Sequence, residues 1–410
     1  MFEEYFSDNA KQMRSSEIRE FFKLTEKPEV ISFAGGFPSK DCLPIDQVQE
    51  VNKRLLLEAE EEMLQYSPTE GQEDLRKYIV DFMAQKGIDV GVDNILVTSG
   101  SQQGLDLVSK IFINPGDKVI TESPSYVGGL GAIRNYRGDI LSIKVDNKGL
   151  RLDLLEAELE RLTNNGQQIK FIYLVADFNN PTGLSLAVER REKLVELAEK
   201  YEFLILEDDP YSKLKYDGPE RPAIKNFDKQ GRVIYLGSFS KIFIPGIRVG
   251  WVVAAEEVIQ KLILAKQSTD LCSNSMGQRL IAACGREGII DNQIKKLCRL
   301  YRRRRDKTME SLNKYFPPEV NWTEPEGGFY TWVELPPYLN SKDLLFKAIE
   351  QNVAYVSGEA FSSSGQKQNA FRLSFSQPTL EEIEEGIYRL SEVIKTELNS
   401  FEARNQRCIK

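Results

Sequence analysis

From Asn94 to Lys241 the chain alternates at short intervals between two hydrophobic patterns. One is the unbroken apolar run of strand length: "ILV" at 95–97, "FIYLV" at 171–175, "FLIL" at 203–206 and "VIYL" at 233–236. The other is apolar recurrence every three or four residues, with Leu105, Val108 and Ile111–Phe112 in "SQQGLDLVSKIF" and Leu194, Leu197 and Ala198 in "AVERREKLVELAEKY". The first predicts strands and the second amphipathic helices. Runs without polar alternation suit strands buried on both faces, so the expected fold is α/β: a mostly parallel sheet flanked by helices. From Trp251 to about Phe316 the pattern predicts a long helical stretch. After it, "GGFYTWVELP", "NVAYVSGEAF" and "AFRLSFS" supply strands for a smaller α+β domain. The expected division is 1–40 as a segment packing on the small domain or a partner, 41–288 as the large domain, and 289–410 as the small one.

The strand-like runs end in polar, turn-forming clusters: "TSGSQQG", "TESPSY", "NNPTG", "EDDPY" and "SFSK". In an open α/β sheet, ligands bind outside the carboxyl ends of the strands, so these clusters predict one site. Ser101 and Gln102 open a helix, where free N–H groups suit a phosphate, although Ser and Gly there serve equally as a helix cap. Taken singly, "NNPTG" and "EDDPY" are ordinary turns. Burying the pair Asp208–Asp209 would be costly without a cationic partner. Lys241 sits in the apolar, glycine-punctuated "SFSKIFIPGIR", with Arg248 seven residues on.

Composition narrows the chemistry. The 410 residues contain no histidine, which removes Ser–His–Asp and Cys–His catalysis and every histidine metal site; no metal is expected. Acid–base work must fall to Lys, Asp, Glu, Tyr or Cys. A net charge of −8 argues against nucleic acid or an anionic membrane as partner. Apolar runs are far short of a membrane span, and the start lacks a basic segment followed by an apolar one. Five scattered cysteines without a CxxC pair read as reduced thiols of a cytoplasmic protein.

In their order, Ser-Gly-Ser-Gln, Ser-Pro-Ser-Tyr, Asn-Asn-Pro-Thr-Gly, Glu-Asp-Asp-Pro-Tyr, Ser-Phe-Ser-Lys…Arg and Phe-Arg-Leu-Ser resemble the motifs of fold type I, class I pyridoxal-phosphate aminotransferases. The nearest branch is the 2-aminoadipate/kynurenine aminotransferase-like group, and the resemblance runs from "IREFFKLTEKPEVISFAGGFP" to "FRLSFSQP". It implies an aspartate aminotransferase-like fold and pyridoxal 5'-phosphate as cofactor. Lys241 then resembles the lysine that forms a Schiff base with the cofactor and later shuttles the substrate proton. Asp208 would pair with the pyridine nitrogen, Asn180 and Tyr211 with the ring's 3′-oxygen, and Tyr126 would stack on the ring. Ser101, Gln102, Ser238, Ser240 and Arg248 would hold the phosphate. Arg372 matches the arginine that reads the substrate α-carboxylate, and Gly36 and Asn180 would line the same substrate site. Tyr66 in "LQYSPTEG" matches a tyrosine reaching the partner subunit's cofactor, which implies a homodimer with shared sites. Arg19 in "SSEIREFF" matches a position that reads a second carboxylate in some relatives; a surface salt bridge suits it equally.

The reaction implied is amino transfer from an α-amino acid to a 2-oxo acid, 2-oxoglutarate, by a ping-pong route. A lyase, decarboxylase or racemase on the same cofactor is the alternative within the fold. A ligand-sensing regulator with an aminotransferase-like domain would carry an added winged-helix domain, and only about thirty residues precede "ISFAGGFP". Arg302–Arg305 is expected to be a solvated helix face. Ser357 stands where the group usually has proline, and a looser loop is expected there.

Overall fold

The apolar runs form strands, placed by what each can bury. In chain order these are β1 (Ile31–Ser32), β2 (Ile95–Thr98), β3 (Lys118–Ser123), β4 (Asp139–Asp146) and β5 (Gly149–Leu150). They continue with β6 (Ile169–Leu174), β7 (Leu204–Asp209), β8 (Val233–Ser238) and β9 (Gly250–Val253). The last are β10 (Asn321–Trp322), β11 (Tyr330–Glu334), β12 (Val353–Ala354), β13 (Val356–Ser357) and β14 (Ala370–Ser374). The computed structural model describes residues 2–12, 29–58, 60–365 and 368–408.

The large sheet has the order β2-β9-β8-β7-β6-β3-β4-β5. Strands β8, β7, β6, β3 and β4 are parallel, while β9 is antiparallel to both β8 and β2. That double reversal turns β2 back into the common direction, so β2, β3, β6, β7 and β8 all end at one edge. Every residue of β2, β8 and β9 is buried, as strands covered on both faces require. Helix Ser101–Phe112 buries Leu105, Leu107 and Val108, and helix Val188–Lys200 buries Leu194, Val195, Leu197 and Ala198. Among the described residues three apolar clusters result, one centred on Ile120, Leu155, Leu194 and Ile205, one continuous into the smaller sheet, and a small one of Ala34, Trp332, Val356, Phe361 and Ala370.

The smaller sheet, β10-β11-β14-β13, is antiparallel throughout. It holds Arg372 on β14, opposite Trp332 of β11 and Val356 of β13. Strand β1 pairs in parallel with β12, and the Ser374 N–H donates to the Phe33 carbonyl at 2.8 Å. The strap after β1 is thereby carried past Arg372.

Three expectations change. The stretch after Trp251 is three helices, Glu256–Gln267, Ser275–Arg286 and Ile289–Tyr315, the last beginning after Gly288 at φ +71°. Arg302–Arg305 is not a uniformly solvated face. Arg304 is 3% exposed and donates to the Ser376 carbonyl and, at 3.1 Å, to Asp41 Oδ2. Arg305 pairs with Asp217 and the Pro325 carbonyl. Helical periodicity turns one arginine of the four inward, and buried carbonyls need its donors. Nor is the chain loose at Ser357: it lies in β13, buried, with its hydroxyl 2.8 Å from that of Ser341.

Candidate active site

The shared edge of the large sheet gathers the polar clusters. After β8, Lys241 projects toward the strap and donates from Nζ to the Gly36 carbonyl at 2.8 Å. Burial lowers its pKa to about 8, aided by the positive charges of Arg372 and Arg248 and opposed by Asp208. Ile242 and Phe243 beside it are buried. Lys241 is only half-buried as a residue, so its amine of lowered basicity is not sealed within the core.

At the end of β7 three successive acids meet three environments. Glu207 accepts the N–H groups of Ile224 and Lys225 at 2.8 and 3.0 Å, yet burial still pushes its carboxyl up to about 7. Asp209 faces away from Asp208 because side chains alternate along a strand. It pairs with Lys86 and accepts from Tyr235 and Ser212 hydroxyls, each at 2.7 Å. Burial works against its charge, but Lys86 and these donors outweigh it and hold the carboxyl below the usual range. Asp208 is 2% exposed and has one hydrogen-bond partner among the described residues, the Tyr173 hydroxyl, which donates to Oδ2 at 3.1 Å. Burial pushes it up to about 7, while the Tyr173 hydrogen bond opposes that rise and the charge of Asp209 adds to it. Its Oδ1 is buried with no hydrogen-bond partner among the described residues.

Arg372 is 4% exposed. Its Nη1 donates to Asn180 Oδ1 at 2.7 Å and its Nη2 to the Ala34 carbonyl at 2.5 Å, while Nε is buried without a partner among the described residues. The guanidinium lies 4.3 Å over the Tyr330 ring and 4.9 Å over that of Phe361. Asn180 is set by the turn after β6, where Asn179 Nδ2 donates to the buried Glu122 at 2.6 Å. Tyr211 is buried, its hydroxyl 3.2 Å from that of Tyr330, and burial raises its pKa well above 10.

The third wall is a cup. Gly100, at φ +80°, precedes helix Ser101–Phe112 and offers no side chain to cap its first-turn N–H groups. A Cβ there would overlap Arg248 Nη2, so only glycine lets the guanidinium approach. Arg248 donates to Ser240 Oγ at 3.1 Å and the Ser99 carbonyl at 3.3 Å, and the Ser240 N–H donates to Ser238 Oγ at 3.1 Å. Uncapped helix N–H groups beside an arginine and two serines suit a phosphate. On the opposite rim, Gln102 Nε2 donates to the Gly128 carbonyl at 3.0 Å, and the Tyr126 hydroxyl lies 3.4 Å from Gln102 Oε1.

The fold thus brings Lys241, Asp208, Tyr211, Asn180, Arg372 and Gly36 together, with Ser101, Gln102, Tyr126, Ser238, Ser240 and Arg248 around the cup. Tyr66 stands apart, 78% exposed. Arg19 lies outside the described residues. Sequence reasoning passed over Tyr173 and Tyr330, whereas it places Gly100 at the helix start with Ser101 and Gln102. A tyrosine inside an apolar strand run was the available signal for the two tyrosines, since a buried phenol needs a partner for its hydroxyl.

A family model described as aminotransferase class I and II matches residues 28–390. The chain belongs to the class I and II aminotransferases. This aminotransferase is 42% identical over 398 residues to aromatic-amino-acid aminotransferase 1 of Thermococcus litoralis, covering 97% of this chain and 95% of that one. It is also similar to the crystal structure of a multiple substrate aminotransferase from Thermococcus profundus, with TM-score 0.94, 43% identity and coverage of 97% and 99%. The α-aminoadipate aminotransferase of Thermus thermophilus, complexed with N-(5'-phosphopyridoxyl)-L-leucine, gives TM-score 0.90 at 35% identity, covering 97% and 99%. The architecture is that of the aspartate aminotransferase-like, fold type I enzymes. Among the described residues no helix is long and apolar enough to cross a membrane.

Proposed function

We propose that this aminotransferase uses pyridoxal phosphate to move an amino group from an α-amino acid to 2-oxoglutarate in two half-reactions, with Lys241 as its reacting amine. One observation carries the reading: Asp208 Oδ1 is a buried carboxylate oxygen without a donor among the described residues, near enough to Lys241 for their charges to interact. A protonated ring nitrogen is the donor it lacks, and the glycine-lined cup behind Arg248 suits the phosphate, so the residues fit the cofactor. Ser101, Gln102, Ser238, Ser240 and Arg248 would hold the phosphate, Asn180 and Tyr211 the 3′-oxygen, and Tyr126 the ring face. When bound, the cofactor supplies an aldehyde for Lys241 and a ring that takes up the electron pair left at the substrate Cα.

The chain's residues do the rest. Asp208 keeps the proton on the ring nitrogen. Arg372 exchanges the Ala34 carbonyl for the α-carboxylate, with its Nε, unpartnered among the described residues, completing a two-toothed grip. Lys241 Nζ moves the proton at the amino acid's Cα, and its lowered pKa keeps a share of it neutral near pH 8. Ile242 and Phe243 exclude water from behind it. We assign residues 41–288 to the cofactor-bearing domain, 289–410 to the small domain, and the exposed Tyr66 to the phosphate of a second copy in a cytoplasmic homodimer.

The test is spectroscopic. Protein loaded with pyridoxal phosphate should lose its visible band with glutamate and regain it with 2-oxoglutarate, releasing keto acid without ammonia or carbon dioxide. A band that no amino acid alters would overturn the reading.

A further inference from the structure

Tyr330, at the start of β11, meets several groups of the cleft at once. Its hydroxyl is 3.2 Å from that of Tyr211, and the two rings meet edge-on at 5.7 Å and 87°. Its face carries the Arg372 guanidinium, because Trp332 is the direct partner of Arg372 across β11 and β14 and Tyr330 is the diagonal one. Its hydroxyl abuts Gly36 so closely that a Cβ there would overlap it, and the Gly36 carbonyl takes the Lys241 amine. The backbone is pinned as well: Gly183, in the turn that sets Asn180, packs on the Tyr330 carbonyl with no room for a Cβ. Tyr330 is 2% exposed, so its hydroxyl proton must go to a protein partner.

We propose that Tyr330 is a positioning residue that acts through Tyr211: it donates its hydroxyl proton to the Tyr211 oxygen and so commits the Tyr211 proton to the cofactor's 3′-oxygen. A phenol has one proton. Between two facing hydroxyls the direction of donation is open, and it closes once Tyr211 has another acceptor. A hydroxyl that accepts a hydrogen bond becomes a stronger donor, and in a buried pair this cooperativity is retained. The Tyr330 ring has a separate duty, as the platform for Arg372.

The inference rests on the proposed cofactor, and the test separates the two. A donor at the 3′-oxygen favours the form of the chromophore with one proton fewer, so weakening it moves the pH midpoint of the visible band upward. In the loaded protein, Tyr330→Phe should raise that midpoint by about 0.3–0.5 units. Tyr211→Phe should raise it more, and the double variant should match Tyr211→Phe alone, because the first hydroxyl acts only through the second. An unmoved midpoint in Tyr330→Phe, or shifts that add in the double variant, overturns the proposal. Tyr330→Phe should also leave KM for the amino acid within about twofold, whereas Tyr330→Leu, without the ring, should raise it about tenfold. Equal KM values overturn the platform. A wild-type protein with no pH-responsive visible band overturns the cofactor reading itself.

Discussion

Arg191 and Arg372 are both buried arginines, and they are buried for opposite ends. Arg191, 0% exposed under the large sheet, uses every N–H it has. Its Nε donates to the Leu186 carbonyl, Nη1 to Asp177 and the Pro222 carbonyl, and Nη2 to Asp177 and the Ala176 carbonyl, all at 2.7–3.1 Å. Burial works against its charge, but Asp177 outweighs it and the net shift is upward. Arg372 has no carboxylate partner among the described residues; its contacts are one amide oxygen, one carbonyl and two ring faces. Burial dominates, and its pKa falls. A buried cation without a counter-ion is expensive, and a fold keeps one where an anion will complete it. The first arginine is finished by folding and the second, on the proposed function, by substrate.

Replacing each with methionine sharpens the contrast. Arg191→Met leaves Asp177 buried without its partner, and denaturant unfolding should report a loss of about 3–5 kcal/mol. Arg372→Met removes an unpaired charge, so stability should hold or rise while kcat/KM for the amino acid falls about a hundredfold or more. Similar stability losses in the two variants would erase the distinction.

The same contrast recurs between neighbours on β7, where Asp209 is satisfied and Asp208 is not, and pH separates them. Asp208 has a folded pKa of about 7, above its unfolded value, so between about pH 4 and 7 the folded state holds a proton that the unfolded state has lost. Its contribution therefore falls as pH rises through that window. Asp209, lowered, does the reverse: it stabilises above the unfolded carboxylate range and loses that contribution in acid. In cofactor-free protein, Asp208→Asn should thus gain about 2 kcal/mol at pH 8 and little at pH 4. Unfolding midpoints at the two pH values decide it; a gain of equal size at both would mean that ionisation is not the cause. Bound cofactor should cancel the gain, since the wild-type carboxylate then has its cation.

What could be read along the chain followed from local rules. Unbroken apolar runs marked buried strands, three-and-four spacing marked helices, and turn formers marked the strand ends where the cleft lies. What could not be read depends on contacts distant in sequence. The reversal of β9 between β2 and β8 leaves no local trace, because all three strands are buried along their whole length. Tyr173 reaches Asp208 only through the register of β6 on β7, and Tyr330 reaches Arg372 only across two strands of the other sheet. Arg304 was misread because a run of four like charges suggests solvent, whereas a helix must point one of any four residues toward its packed side. No motif rule covers Arg191, whose role is set wholly by the loop carbonyls around it.

Ser357 tests how local the demands of Arg372 are, and here the smallest effect is expected. It is one residue from Val356, the β13 partner of Arg372, and its hydroxyl meets Ser341 at the start of helix Ser341–Glu350. Tyr355 closes the same corner by donating to the Ser341 carbonyl at 2.6 Å. Ser357→Ala deletes one buried hydrogen bond and should cost about 1 kcal/mol in denaturant unfolding. The substitution leaves Arg372, Asn180 and Ala34 untouched, so kcat/KM should stay within about threefold. A larger kinetic loss without further destabilisation would mean that the proposed grip on the α-carboxylate is tuned from the helix side of the small sheet, and that Arg372 is held by more than the four groups it touches.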